Sequence, residues 1–311
     1  MMKQPFNRVK LLFVLIVFLG IGKAFAQQEA LTTQYMFNGL SINPAMAGSD
    51  DNLSITGIIR SQWVGIKGAP NTQVLSVHSP MRSDNYALGL NVTHDQIAVT
   101  GRTTISPSYA YRIHFKNGAI LSMGIQASIM NYRAGLTDLN PKDGSDAVFS
   151  ADVNTWMANF GVGAYYYTNK YYIGLSAPML LNNNYSNSGD KISEAELTRH
   201  YYLNAGYVFD IGENYHLKPS FLVRYAENSY LTADVNLNLY YKRYFGVGVS
   251  YRSGESVSAL FELFINDQFM LGYAYDYIVS DLHVATSGSH EIMINYIFPH
   301  NEKRVVTPRY F

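Results

Sequence analysis

Apolar and polar residues alternate along most of this chain with a period of two. Over residues 231–241, Ala233, Val235, Leu237, Leu239 and Tyr241 are apolar or aromatic, while Thr232, Asp234, Asn236 and Asn238 between them are polar. Successive side chains of a strand point to opposite faces. The pattern therefore puts one face in an apolar medium and the other in a wet or tightly packed one. The same reading predicts strands over 86–94, 105–115, 121–132, 160–167, 171–177, 201–209, 215–225, 245–251, 257–265, 269–277 and 292–298. Two weaker segments, 53–60 and 72–80, precede them and bring the count to about fourteen.

The connections between these segments narrow the architecture. Short turns fall at Lys116-Asn117-Gly118, Thr168-Asn169-Lys170, Gly212-Glu213-Asn214, Lys242-Arg243 and Asn266-Asp267; Asn-Gly and similar pairs favour tight hairpins. Longer loops, at 95–103, 133–157, 178–199, 226–230, 252–256 and 278–289, alternate with them from the third strand on. A soluble sandwich has no reason to collect its long loops at one end, whereas outer-membrane barrels have short periplasmic turns and long extracellular loops. The expectation is an all-β fold, a transmembrane antiparallel outer-membrane β-barrel of about fourteen strands, with both barrel termini periplasmic. A soluble all-β protein with a Tyr-rich core is the weaker alternative.

One face of the alternation is polar. Arg112, Lys218, Arg224, Asp234, Arg252, Glu262, Asp276 and Glu291 fall on it, as do Gly161, Gly163, Gly174, Gly206, Gly246, Gly248 and Gly272. A basic residue facing lipid at the bilayer midplane costs ~2–4 kcal/mol, so these charges belong inside, where a wet lumen tolerates them. Tyrosines near the strand ends suit interfacial aromatic girdles.

Composition agrees with this reading. Charged residues are 15% and aromatics 14% of 311, with 26 Tyr and 16 Phe but no Cys. Low charge without basic clusters argues against nucleic acid as a partner and against a disordered chain. The absence of Cys excludes disulfides, thiolate metal sites and a cysteine nucleophile. The longest apolar run, Leu11 to Gly22, is too short to span a membrane as a helix. Lys3, Arg8 and Lys10 precede it and Ala24-Phe25-Ala26 follows, which describes a secretory signal peptide over 1–26, cut after Ala26. Removal leaves 19 basic and 23 acidic residues, a net charge of −4.

Candidate chemistry is sparse. Gly161-Val162-Gly163 and Gly246-Val247-Gly248 resemble pieces of a dinucleotide loop, but neither opens a helix, and small lumen-facing residues are the better account. The acidic loop 138–152 (Asp138, Asp143, Asp146, Asp152) misses the EF-hand spacing and reads as a solvated surface loop ahead of a calcium site. His283 and His290 read as polar loop residues. Ser287, His290 and Glu291 lie close in sequence, but a triad is defined by geometry. No catalytic, cofactor or metal assignment is made.

Two stretches outside the alternation are not explained by barrel physics. One is Gln34-Tyr35-Met36-Phe37-Asn38 with Ile42-Asn43-Pro44-Ala45-Met46-Ala47-Gly48. The other is Arg60-Ser61-Gln62-Trp63-Val64-Gly65 with Gly68-Ala69-Pro70-Asn71-Thr72. With Tyr111-Arg112, Gly174-Leu175-Ser176, Gly272-Tyr273-Ala274-Tyr275-Asp276, Gly288-Ser289-His290-Glu291-Ile292 and the tail Pro308-Arg309-Tyr310-Phe311, they make the chain resemble the PorP/SprF family of type IX secretion proteins of the Bacteroidetes. One departure is Asp146-Ala147-Val148-Phe149, where a proline is expected after the aspartate.

The resemblance implies an outer-membrane component that assists export or surface anchoring of cargo bearing a type IX C-terminal sorting domain, a gliding adhesin among them. It implies periplasmic OmpA-like or ring components as further partners, alongside outer-membrane lipid. Gln34, Tyr35, Asn38, Asn43, Pro44, Gly48, Arg60, Gln62, Trp63 and Gly65 are the candidate partner-binding or plug residues. The expected organisation is a periplasmic N-terminal segment over 27–52, the barrel over 53–298 and a periplasmic tail over 299–311. The segment before the first strand is either a plug folded into the barrel mouth or a plain leader into strand one. Trp63 is either a docking anchor or an interfacial girdle residue. The alternative function is a small-molecule diffusion or uptake channel. A blocked lumen favours the protein-binding reading and a continuous polar pore favours the channel.

Overall fold

The computed structural model describes residues 31–139, 151–184, 196–227 and 231–298. The expected leader at 1–26, the expected tail at 299–311 and Asp146-Ala147-Val148-Phe149 lie outside these residues. Fourteen antiparallel strands close into a barrel. They are β1 (Leu53–Ser61), β2 (Asn71–Pro80), β3 (Tyr86–Ile97), β4 (Thr100–His114), β5 (Ile120–Ala134), β6 (Val153–Tyr167) and β7 (Tyr171–Met179) in the first half. The second half comprises β8 (His200–Tyr207, extended by Phe209–Ile211), β9 (Tyr215–Ala226), β10 (Thr232–Tyr241), β11 (Phe245–Arg252), β12 (Ser256–Phe264), β13 (Phe269–Ile278) and β14 (Ser289–Phe298). Each strand pairs with its sequence neighbour. β1 closes the circle against β14 in unbroken register from Leu53↔Phe298 to Ser61↔His290.

The alternation sets this register because a slip of one residue would exchange the two faces. Val235, Leu237, Leu239, Phe261, Leu263 and Tyr273 point outward and are exposed, while Asp234, Glu262 and Asp276 are buried inside. All eight charges expected to face inward are buried. Aromatic pairs ring the end where Leu53 starts β1 and Phe298 ends β14, among them Tyr215–Tyr241 with ring centroids 5.2 Å apart and Tyr207–Phe209 at 4.4 Å. Trp156, Tyr201, Tyr225, Tyr251 and Tyr277 mark the opposite interface. The two belts bound an apolar band, as in transmembrane barrels.

The loop expectation needs two corrections: the expected long loop 252–256 is a three-residue turn, 253–255, between β11 and β12, and the second concerns β3 and β4. Residues 95–103 are not a long loop: β3 and β4 continue to a two-residue turn at Ala98-Val99, with Ala98 at φ 50°. His94 pairs with Thr103 across these strands, its Nδ1 2.8 Å from the Thr103 hydroxyl. The strands rise above the apolar band here, so both faces are polar and the alternation stops while the ladder does not. The connections 62–70, 135–152, 180–199 and 279–288 still leave the long loops at the end opposite Leu53 and Phe298. That end is extracellular by the rule for such barrels.

Candidate functional site

The segment 31–52, which carries the first motif, does not skirt the barrel. It lies inside, and Thr32, Thr33, Gln34, Tyr35, Met36, Asn38, Leu40, Ile42, Asn43, Ala45, Met46 and Ala47 are all buried. We call it the strap. It consists of three short 3₁₀ turns, Tyr35–Phe37, Gly39–Ser41 and Pro44–Met46. Asn43 starts the last of these: its Oδ1 accepts the Ala45 N–H at 2.9 Å, and Pro44 sits at the first position, where no N–H is needed. Each fully buried Leu, Ile or Met side chain contributes about 1.5–3 kcal/mol. Met36, Leu40, Ile42 and Met46 supply four such side chains.

The wall is shaped to receive the strap. Gly124 lies against Pro44 and Ala45, Gly163 against Asn43, and Gly272 against Gln34, and a Cβ at any of these three would collide with the strap; Gly174 also faces Asn43, though a Cβ there would first meet Asn204 of the wall. Backbone polar groups are matched as well. Asn43 Nδ2 donates to the Ala164 carbonyl at 3.1 Å, and Ser176 Oγ donates to the Ile42 carbonyl at 2.6 Å. The Tyr35 hydroxyl accepts from Asn236 Nδ2 at 2.7 Å.

At its extracellular end the strap is held by charge. The Glu291 carboxylate accepts the backbone N–H groups of Thr33 and Gln34 at 2.7 and 2.8 Å. Arg60 completes this latch, with Nη2 2.7 Å from Asp276 Oδ2, and Nη1 3.1 Å from Glu291 Oε2 and 2.6 Å from the Thr33 hydroxyl. Arg60, Asp276 and Glu291 are each at most 1% exposed. Asp234 lies between Arg252, at 3.1 Å, and Arg224, at 3.6 Å. At the other end Gly48, at φ 73°, donates its N–H to His78 Nδ1 at 3.1 Å, and Arg112 binds Asp51 and the Tyr167 hydroxyl. Midway, Lys218 Nζ lies 5.1 Å from the Phe37 ring centroid. The charges of the polar face are therefore buried against the strap and one another rather than lining an open lumen.

The structure brings together some of the candidate residues and separates others. Gln34, Tyr35, Asn38, Asn43, Pro44 and Gly48 belong to the strap, and Arg60 of the second motif ties it to the wall. Gln62, Trp63 and Gly65 lie in the outer loop 62–70. The Gln62 N–H closes that loop on the Pro70 carbonyl at 2.9 Å. Trp63 is half-buried at φ 48°, with its N–H on Ser289 Oγ at 3.1 Å, and Gly65 is exposed at φ 105°. Val64 donates its N–H to the Gly288 carbonyl at 2.8 Å, and its own carbonyl accepts the Ser287 N–H at 2.9 Å, joining loop 62–70 to loop 279–288. Sequence reasoning gave no signal for this pairing of loops. It also missed Thr33 and Ser176 as strap contacts.

The geometry bears on three chemical alternatives. Glu291 points inward, while its neighbour His290 bonds the Tyr273 hydroxyl on the outer face at 2.7 Å, so Ser287, His290 and Glu291 do not converge. Gly161 and Gly163 lie in β6 and Gly246 and Gly248 in β11, within strands rather than before helices. Most of the acidic loop lies outside the described residues. Its Asp152 accepts the Thr137 N–H and hydroxyl at 3.0 and 2.8 Å, which hold the carboxyl below its usual range. Among the described residues, no group of three His, Asp or Glu side chains is placed to hold a metal ion.

A closed fourteen-strand barrel with an apolar outer band, aromatic belts and inward charges is an outer-membrane protein. Within that class, the chain belongs to the PorP/SprF family of type IX secretion system membrane proteins, whose family model matches residues 24–296. No curated protein matches its sequence. Among solved structures, the chain is similar to the Ralstonia pickettii toluene transporter TbuX, at 10% identity and a TM-score of 0.50, over 83% of this chain and 92% of that one. The CymD monoaromatic hydrocarbon channel is also similar, at 15% identity and a TM-score of 0.49, over 90% of this chain and 96% of that one. These likenesses concern the barrel fold alone.

Proposed function

We propose that this barrel is a closed-lumen export or anchoring component of the type IX system. In this reading it holds cargo with a type IX C-terminal sorting domain, a gliding-motility adhesin being one such cargo, at its extracellular mouth. Periplasmic OmpA-like or ring components meet the opposite rim of short turns. The observation that carries the reading is the strap: a diffusion channel needs a continuous polar path, and the strap with its latch takes up that space. The joined loops 62–70 and 279–288 offer a braced outer surface, and Trp63 is its candidate anchor, since aromatic side chains dominate many protein interfaces.

The test is deletion of the gene, followed by surface and medium assays for sorting-domain cargo. The reading expects cargo to be lost from the surface or shed, and Trp63→Ala to copy that loss at unchanged barrel abundance. Cargo display that survives the deletion while small-solute uptake falls would favour the channel. Loss of barrel abundance in step with display would make Trp63 a structural residue.

A further inference from the structure

The strap has a direction. Thr33 and Gln34 meet Arg60, Asp276 and Glu291 at the ends of β1, β13 and β14 that adjoin the long loops. Tyr35 and Met36 then meet Asn236 and Asn238 of β10. Asn43 reaches β6 and β7 lower down, and Gly48 and Asp51 meet His78 and Arg112 near the periplasmic ends of β2 and β4. Only then does β1 begin, at Leu53, and climb the wall again. Arg60 stands seven residues above Leu53, which at ~3.3 Å per residue is roughly 20–25 Å of strand. The strap and β1 thus form one long hairpin, bent at the periplasmic rim where Gly48 and Asp51 adopt φ of 73° and 55°.

We infer that the exported chain presents its N-terminus at the extracellular mouth, beside the joined loops 62–70 and 279–288, and not in the periplasm. The latch fixes the exit: Glu291 holds Thr33 and Gln34 at the ends of β1, β13 and β14 that adjoin the long loops. A return to the periplasm would have to pass back down a lumen that the strap already occupies. Placement by the latch also requires that the apolar leader be removed, since a leader held in the inner membrane cannot reach the outer mouth.

The natural chain contains no cysteine, so one introduced thiol reports its own position. Gln28→Cys and Ala30→Cys are compared with Lys67→Cys in the outer loop and Glu213→Cys in a periplasmic turn, both exposed positions. Intact cells are treated with a membrane-impermeant maleimide before and after outer-membrane permeabilisation, and label is scored only on the heat-modifiable, folded band. Gln28→Cys and Ala30→Cys should label on intact cells to the level of Lys67→Cys, with no gain on permeabilisation. Glu213→Cys should label only after it. Label at residues 28 and 30 that appears only after permeabilisation, or only after denaturation, would overturn the inference. Two test positions keep the result interpretable if one variant fails to assemble.

Discussion

Replacing Arg60 by Met tests whether the latch holds the strap or whether Arg60 serves an external partner. The substitution keeps the aliphatic stem and removes the guanidinium between two carboxylates that are at most 1% exposed. Breaking a buried ion pair by removing one partner costs about 3–5 kcal/mol, because the remaining charge is uncompensated. At 1.4 kcal/mol per decade, this lowers the folding equilibrium by roughly a hundred- to several-thousand-fold. Adding Asp276→Asn and Glu291→Gln removes the stranded charges while keeping acceptors for the Thr33 and Gln34 N–H groups. Neutral replacement of a whole buried ion set is often close to neutral, so the triple variant should recover most of the loss. The assay is urea unfolding in detergent, followed by heat-modifiability and by protease protection of the strap. An Arg60→Met protein as stable as the parent, or a triple variant no better than the single, would refute the charge-compensation argument.

Three further outcomes follow from the packing. Leu237→Arg should impair assembly by ~2–4 kcal/mol because it faces lipid, and folded-band yield in membranes measures this. Asn236→Arg should also impair assembly, since Asn236 is 1% exposed and bonds Tyr35; a wild-type yield would mean that the lumen is wet after all. Gly163→Leu should expel Asn43 and Pro44 from their seat. Protease should then cut the strap while circular dichroism keeps its β-sheet signature, and an uncut strap would contradict the placement.

Legibility in the sequence followed periodicity. Lipid penalises a misplaced charge, so Asp234, Glu262 and Asp276 had to alternate against Val235, Phe261 and Tyr273, and strand positions and faces could be read directly. Above the lipid that penalty lapses, which is why residues 95–103 read as a loop although Asp95 pairs with Arg102 and Gln96 with Gly101. The strap has no period of its own, because it is buried on all sides by a wall contributed by distant strands. An indirect signal was present: Gly163, Gly174 and Gly272 face inward without side chains, so a segment rich in Asn and Gln could approach them closely. Arg60 looked like part of a surface motif because its partners lie 216 and 231 positions further along the chain, a separation that no local pattern reveals. Trp63 could be located in the outer loop, but its backbone bond to Ser289 depends on the closure of β1 on β14.

Planar-bilayer conductance of the purified barrel tests the closed lumen most directly. Full-length protein should show no steady channel current, and a variant lacking residues 27–47, with the leader fused ahead of Gly48, should show discrete openings at equal folded yield. A steady current from the full-length protein that deletion of the strap leaves unchanged would contradict the account.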